Sequence, residues 1–498
     1  SDRGGYGVPR RAIAGGLRRS LQICSQADRK PRTVAAKWWA LRSTDAKWRC
    51  EMWYNGTLAG RDVSASHQES TDMPNDTAFQ MAASNIRFGQ GVTSEVGMDL
   101  VELGAKRTLL LIDPALLELP TGQTVLAALR DEQIGFDCFS EISVEPTDAS
   151  FQRAIEIATE GNYDSLLAVG GGSTIDTAKA ANLYSSCPAP FFDYVNAPIG
   201  RGLPIPGPLK PLIAIPTTAG TGSETTGVAI FDWVEKKAKT GIAHRRLKPT
   251  LGLIDPDNTR TLPGSVAASS GLDVLSHALE SFTAMPFTAR PKPARPAERP
   301  AYQGANPISD IWALRALEMV NAFLVRAVRD AADDEARGQM LLAAAIAGIG
   351  FGNAGCHLPH GMSYPVAGMV RDFWPPGYDV DHPMVPHGFS VILNTPAVAR
   401  FTAAAAPQRH LQAARALGAD TDGVAAEDAG TVLADRVIQF MRELDVPNGL
   451  RAVGYTPDDI SALVEGTLPQ HRVTKLSPIP VEAPELTELF EASMTIWS

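Results

Sequence analysis

Ser165-Leu-Leu-Ala-Val-Gly170-Gly-Gly-Ser173-Thr-Ile-Asp-Thr-Ala-Lys179 is the stretch that decides the fold. Residues 165–169 form an uninterrupted apolar run, which reads as a strand buried on both faces. The glycines end it, and residues 174–181 continue as a helix. Strand, tight turn and helix in that order is the unit from which parallel sheets are wound. The alternation extends both ways. Upstream, residues 96–103 read as helix, 107–113 as strand, 124–130 as helix, 136–139 as strand and 149–159 as helix. Downstream, residues 212–215 form a strand that runs into a Thr/Gly loop, and 250–254 form another. The N-terminal part is therefore expected to be α/β, with a doubly wound parallel sheet covered by helices on both faces.

After Leu262-Pro263 the strand signal stops. Residues 310–328, 335–349, 410–417 and 431–444 read as long Ala/Leu-rich helices, which makes the C-terminal part all-α. The expected division is an α/β domain over 78–262 and a helical domain over 263–498, both of ordinary domain size. Pro291, Pro293, Pro296 and Pro300 exclude a helix from residues 290–300, so that insert should be an exposed loop. Residues 1–77 differ from the rest. Arg10, Arg11, Arg18, Arg19, Arg29 and Lys30 crowd an acid-poor segment in which Ile13, Leu17 and Leu21 recur every four residues. That pattern fits a mitochondrial transit peptide, and hence a matrix enzyme, or else a basic tail. Residues 62–76 read as a linker.

The chain has 498 residues, a net charge of −10 and 20% charged residues, which argues against a nucleic-acid-binding body or a membrane-surface protein. No apolar run approaches the roughly 20 residues needed to cross a bilayer. The five cysteines are scattered and include no C-x-x-C pair, which suits a reducing compartment rather than a disulfide framework or thiolate zinc site. Small-molecule substrates and a homo-oligomer remain open.

Three groups of residues carry chemistry. Gly170 to Ser173 open a helix after a strand, where backbone N–H groups and the helix N-terminus favour a phosphate; alone, the run reads as a capping turn. Thr217-Thr-Ala-Gly-Thr-Gly-Ser-Glu224 repeats the arrangement, and two such loops at strand carboxyl ends are what a dinucleotide cleft requires. Asp113, ending the 107–113 run, is placed to accept from a ribose hydroxyl and to repel a 2′-phosphate, favouring NAD over NADP; its other reading is a turn former. In Gly271-Leu-Asp273-Val-Leu-Ser-His277-Ala-Leu-Glu280 the polar residues fall at i, i+4 and i+7 of a helix whose other face holds Leu272, Leu275 and Leu279. Such a stripe is either a buried Asp–His hydrogen bond or two ligands of a metal ion with partners elsewhere. His357 and His360 lie one turn apart, Tyr364 one turn beyond, and His387 sits in Val385-Pro-His-Gly388. Asp273 with three histidines makes an oxygen and nitrogen set without sulfur, suited to Fe(II), Zn(II) or Ni(II).

GGGSTIDTAK (170–179), PTTAGTGSE (216–224), GLDVLSHALE (271–280), PHGMSY (359–364) and PHG (386–388), in this order, resemble the iron-containing, group III alcohol dehydrogenases. Residues 182–200, 302–318, 378–388 and 466–478 resemble more specifically the hydroxyacid–oxoacid transhydrogenase branch, and the likeness runs from about residue 78 to the C-terminus. It implies metal ligands at Asp273, His277, His360 and His387, and cofactor contacts at Asp113, Gly170, Gly171, Gly172, Ser173, Thr217, Thr218 and Thr221. It implies a hydride passed from 4-hydroxybutyrate to NAD+ and on to 2-oxoglutarate, giving succinic semialdehyde and D-2-hydroxyglutarate, with a divalent metal, iron first, as Lewis acid. Many group III members carry a second histidine where this chain has Tyr364, which either donates a proton or only packs. The His360-to-His387 spacing is long because of an insertion within 366–384; His382 competes with His387 but resembles no ligand motif. Glu280 matches no ligand position and reads as support or packing. Substrate carboxylates need a cation, for which Arg472 and Lys475 are the candidates. The rival readings are an NAD-dependent metal-containing dehydrogenase with exchangeable cofactor, and a dehydroquinate-synthase-like lyase, for which a phosphate-binding basic cluster is missing.

Overall fold

Six parallel strands, the five expected from the sequence and one more at an edge, form the sheet, in the order β1-β8-β5-β4-β2-β3. They are β1 (Asn85–Phe88), β2 (Arg107–Ile112), β3 (Gly135–Phe139), β4 (Ser165–Gly170), β5 (Leu212–Pro216) and β8 (Leu251–Ile254), while β6 (Val228–Trp233) and β7 (Ala238–Ala243) make a separate antiparallel hairpin. This computed structural model describes residues 74–498 apart from Lys237 and Asp379. The basic leader expected over 1–77 lies outside the described residues except for its last four.

The period of two along each strand sorts the core into two layers. Leu110, Ile112, Leu167, Val169, Ile213 and Ile215 pack with Val96, Leu100, Val125 and Leu129 of helices α1 (Val96–Glu102) and α2 (Pro120–Asp131). Leu109, Leu111, Leu166, Ala168, Leu212 and Ala214 pack on the opposite face with Ala154, Ala158, Ile175 and Ala178 of α3 (Asp148–Glu160) and α4 (Gly172–Ser186). Burial on both faces is why these strands are continuously apolar rather than alternating. The chain winds outward from β2 to β3, then returns across β2 to β4, so the winding reverses between the carboxyl ends of β2 and β4. A ligand crevice is expected at such a reversal.

Beyond residue 262 the described chain is helical: α5 (Gly264–Thr283), α6 (Pro307–Arg329), α7 (Asp334–Ala354), α8 (Leu358–Gly368), α9 (His387–Ile392), α10 (Thr395–Thr402), α11 (Pro407–Ala416), α12 (Ala429–Glu443), α13 (Ile460–Thr467), α14 (His471–Thr474) and α15 (Ala483–Ser493). Residues 271–283 of α5 are all buried, so this helix has no solvent face on which to place polar groups. It packs on α6, α7 and α9. The approach of α9 is close: a Cβ on Gly388 would lie 1.9 Å from the carbonyl oxygen of Ser269, so only glycine lets His387 come up against α5. Among the described residues no single helix is long and apolar enough to cross a membrane.

The structure departs from the expectations in four places. The β6–β7 hairpin and the edge strand β1 do not appear among the expected elements. The 290–300 insert is largely exposed but contains a short 3-10 turn, Pro296–Glu298. The insert is also pinned at both ends, because Asp76 accepts from Arg290 at 2.8 Å and from Arg299 at 3.0 Å. Helix α4 begins two residues before Thr174, at Gly172.

Candidate active site

The two Gly/Thr loops leave neighbouring strands, Gly170 lying opposite Pro216 in the β4–β5 register. They then touch. A Cβ on Gly171 would lie 3.2 Å from the Thr218 side chain, and one on Gly172 would lie 2.5 Å from Thr221 Cγ2. The second distance is inside contact range, so a side chain at residue 172 would force the loops apart. The Thr217 N–H donates to the Gly170 carbonyl at 3.1 Å, tying the pair. Asp113 sits at the end of β2, beside β4; its Oδ1 accepts from the Ala115 N–H at 2.9 Å, so it caps a turn.

Asp273, His277 and Glu280 lie on α5, His360 and Tyr364 on α8, and His387 at the first position of α9. Asp273 Oδ1 is 3.5 Å from His360 Nε2 and 3.7 Å from His387 Nε2; Asp273 Oδ2 is 3.7 Å from His277 Nδ1. Ligand atoms on one tetrahedral ion with bonds of ~2.1 Å stand about 3.4 Å apart. The spacing therefore fits an ion better than a set of hydrogen bonds. Asp273 Oδ1, His277 Nδ1 and His360 Nε2 are all buried without a hydrogen-bond partner. Asp273 Oδ1 and His360 Nε2, 3.5 Å apart, need a common partner, and a divalent cation supplies one; His277 Nδ1 adjoins the same carboxylate, 3.7 Å from its Oδ2.

Electrostatics point the same way. Burial alone would raise the Asp273 carboxyl, but positive charge in the surrounding histidine cluster outweighs it and holds the group well below the usual range. Burial pushes His277 down to about 3, leaving a neutral imidazole with a lone pair to offer. His277 stacks on Phe351 with ring centroids 3.8 Å apart, which fixes the ring.

Glu280 supports this cluster from behind. Its Oε1 is 2.6 Å from His360 Nδ1, and its Oε2 accepts from the His357 backbone N–H at 2.7 Å. His357 itself points elsewhere, pairing with Thr283 Oγ1 at 3.0 Å. His382 stands half exposed against Asp381, outside the cluster.

One cavity joins the two sets. Gly172, Ser173 and Thr221 line one side of it, and Asp273, His277, His360 and His387 the other, with Tyr364 and Arg472 on the wall. Arg472 donates from Nη2 to Tyr364 Oη at 2.5 Å, lies over the Tyr302 ring at 4.9 Å, and has Nη1 buried without a partner. Lys475 is exposed and does not reach this cavity. The sequence reading did not single out Cys356, whose buried thiol lies within 4.8 Å of ligand atoms of His277 and His360, nor Tyr302 and Glu145, which also line the cavity. Their types and spacing carry no motif, so only the fold brings them in.

Known proteins agree with this geometry. Residues 83–256 match the model described as iron-containing alcohol dehydrogenase, and residues 298–494 match the C-terminal model of the Fe-containing alcohol dehydrogenase family. The chain is 59% identical over 424 residues to the mitochondrial hydroxyacid-oxoacid transhydrogenase of Bos taurus, covering 85% of this chain and 91% of that one. The Homo sapiens protein of the same name is 58% identical over the same shares. Among solved structures, a 1,3-propanediol oxidoreductase superposes with a TM-score of 0.73 at 25% identity, over 84% of this chain and all of that one. The sulfoacetaldehyde reductase of Bifidobacterium kashiwanohense, solved in complex with NAD+, gives a TM-score of 0.68 at 25% identity, over 84% and 99%. The family fits use of NAD and a divalent metal. The chain belongs to the iron-containing alcohol dehydrogenase family.

Proposed function

We propose that this enzyme moves a hydride from 4-hydroxybutyrate to 2-oxoglutarate through a bound NAD, releasing succinic semialdehyde and D-2-hydroxyglutarate. The observation that carries the reading is the single cavity into which the nucleotide loops, the Asp/His cluster and the Arg472 guanidinium all open. The relatives named hydroxyacid-oxoacid transhydrogenase supply the reaction type. Their names also carry the word mitochondrial, and the acid-poor basic leader suits that location, so we place the enzyme in mitochondria.

In this reading residues 78–262 carry the nucleotide and residues 263–498 the metal. Asp273, His277, His360 and His387 hold a divalent ion, iron by family habit. Gly170 to Ser173, Thr217, Thr218 and Thr221 would cradle the pyrophosphate, and Asp113, at the carboxyl end of β2, would accept from a ribose hydroxyl. When bound, the ion supplies Lewis acidity to the substrate oxygen and NAD accepts and returns the hydride. Arg472 binds a substrate carboxylate through its unpaired Nη1. Tyr364, four residues after His360 and bonded to Arg472, holds a proton at Oη on the cavity wall. Burial among Phe351, Tyr302 and Val473 keeps water from the transfer.

Absorbance at 340 nm distinguishes this function from a dehydrogenase with exchangeable cofactor. With 4-hydroxybutyrate and free NAD+ the proposal expects little NADH to accumulate, and rapid succinic semialdehyde formation only once 2-oxoglutarate is added. Steady NADH production independent of the oxoacid would contradict it.

A further inference from the structure

A transhydrogenase must exchange one acid for another while its nucleotide stays in place, which is awkward if both share one mouth. The structure holds a second cavity of about 980 Å³, lined by the 285–302 and 468–486 segments with Asn196 and Ala243. It shares two lining residues with the catalytic cavity, Tyr302 and Arg472, and none of the nucleotide-loop residues border it. The two spaces therefore adjoin across Tyr302 and Arg472, and the second lies away from the nucleotide loops.

The charges of this second cavity suit anions. Arg290 is committed to Asp76 at 2.8 Å, but Lys475 has no ion pair among the described residues, and Glu482 is the one carboxylate on the lining of this cavity. A cationic vestibule concentrates anions at its mouth. At its inner end Arg472 is pre-set by Tyr364 and by the Tyr302 ring, with Nη1 buried and unsatisfied. A buried donor left unpaired is costly, and a carboxylate relieves it.

The substrates fit one such anchor. In 4-hydroxybutyrate the carboxylate is three carbon–carbon bonds from the carbinol carbon. In 2-oxoglutarate the distal carboxylate is three bonds from the ketone carbon, and both products keep that separation. A cation at one fixed distance from the reacting position therefore reads donor and acceptor alike. Tyr364, which holds Arg472, lies one helical turn beyond His360 on α8, so the anchor and the Asp/His cluster line the same cavity.

We propose that the second cavity is the passage by which the hydroxyacid and oxoacid enter and leave, with Arg472 at its inner end as their shared carboxylate anchor, independent of the nucleotide cleft. The exchange role, the two acids and the Arg472 anchor rest on the proposed function; the passage does not. The test therefore uses one half-reaction, the single-turnover oxidation of 4-hydroxybutyrate by the metal-loaded, NAD+-bound enzyme, in which kcat/KM is the second-order rate constant read from the rise of bound NADH.

Ala301→Trp and, as a milder plug at the half-exposed rim, Leu468→Trp should each lower kcat/KM for 4-hydroxybutyrate at least tenfold without changing the Kd for NAD+. Arg472→Met should lower the ratio of kcat/KM for 4-hydroxybutyrate to that for uncharged 1,4-butanediol by roughly 10- to 100-fold, the range for a hydrogen bond to a charged group. Folded plug variants with unchanged kcat/KM would overturn the passage, and an Arg472→Met ratio within twofold of wild type would overturn the anchor. Wild-type enzyme that makes no hydroxyglutarate without free NAD+ would sink the transhydrogenase reading alone.

Discussion

Glu280 Oε1 lies 2.6 Å from His360 Nδ1 in a fully buried site, so the carboxylate takes the ring's N–H and turns Nε2 toward Asp273. Support of this kind typically contributes 10- to 100-fold in metal affinity, whereas a lost ligand removes the site. Glu280→Gln should keep a metal that is stripped by roughly 10- to 100-fold less chelator, and His277→Ala should purify without it. Metal content by plasma mass spectrometry across a chelator series decides this. A Glu280→Gln protein as empty as His277→Ala would make Glu280 a ligand.

Two ligand groups share His360: Asp273 with His387, and His277 with Cys356. The first has ligand atoms 3.5 and 3.7 Å apart, near the ~3.4 Å of a tetrahedral ion, and it brings an anionic oxygen. Cobalt(II) bound to the wild-type chain should therefore show no thiolate-to-metal charge-transfer band in the near ultraviolet, and Cys356→Ser should leave the cobalt spectrum unaltered. A strong band lost in Cys356→Ser would put sulfur in the coordination shell.

Gly172→Ala places a methyl 2.5 Å from Thr221 Cγ2, on a β-branched side chain that cannot swing away freely. The loops must part, and overpacking of this kind costs about 1–3 kcal/mol. NAD+ affinity measured by fluorescence should fall correspondingly while metal content holds. Thr221→Ala should recover part of the loss in the double variant, a coupling expected only of touching residues. Additive losses would mean the loops act separately.

Arg299 and Arg290 hold the Asp76 carboxyl down at about 2, from an ordinary value of 3.8. A carboxyl depressed in the folded state stabilises it above the unfolded value, and that contribution is lost as pH falls from about 4 to about 2. Asp76→Asn should lower the urea midpoint at pH 7, and the gap from wild type should narrow progressively below pH 4. A gap independent of pH would mean the pair contributes through packing alone.

The parts legible in the sequence were those whose physics is local. The 107–112, 165–170 and 212–216 strands are buried on both faces, so each is an apolar run that composition exposes. The β6–β7 hairpin was not legible, because Asp232 and Lys239 interrupt its pattern; Lys239 is buried there only because Glu145 and Asp232 meet its ammonium at 2.7 and 3.0 Å. Strand β1 was hidden for a different reason: it is a four-residue edge strand, largely exposed, with Asn85 and Arg87 in it. In the site, Asp273, His277 and Glu280 were visible as a helical stripe in an apolar run. Arg472 and Lys475 looked equivalent by sequence, three residues apart, and only the packing of α14 against α8 sends Arg472 inward and leaves Lys475 at the outer rim.

The central claim is direct hydride transfer between two acids on a nucleotide that does not leave. Protein freed of loose nucleotide, given 4-hydroxybutyrate deuterated at the carbinol carbon together with 2-oxoglutarate and no added NAD, should yield D-2-hydroxyglutarate with one deuterium at its carbinol carbon by mass spectrometry. No hydroxyglutarate, or hydroxyglutarate without the label, would contradict it.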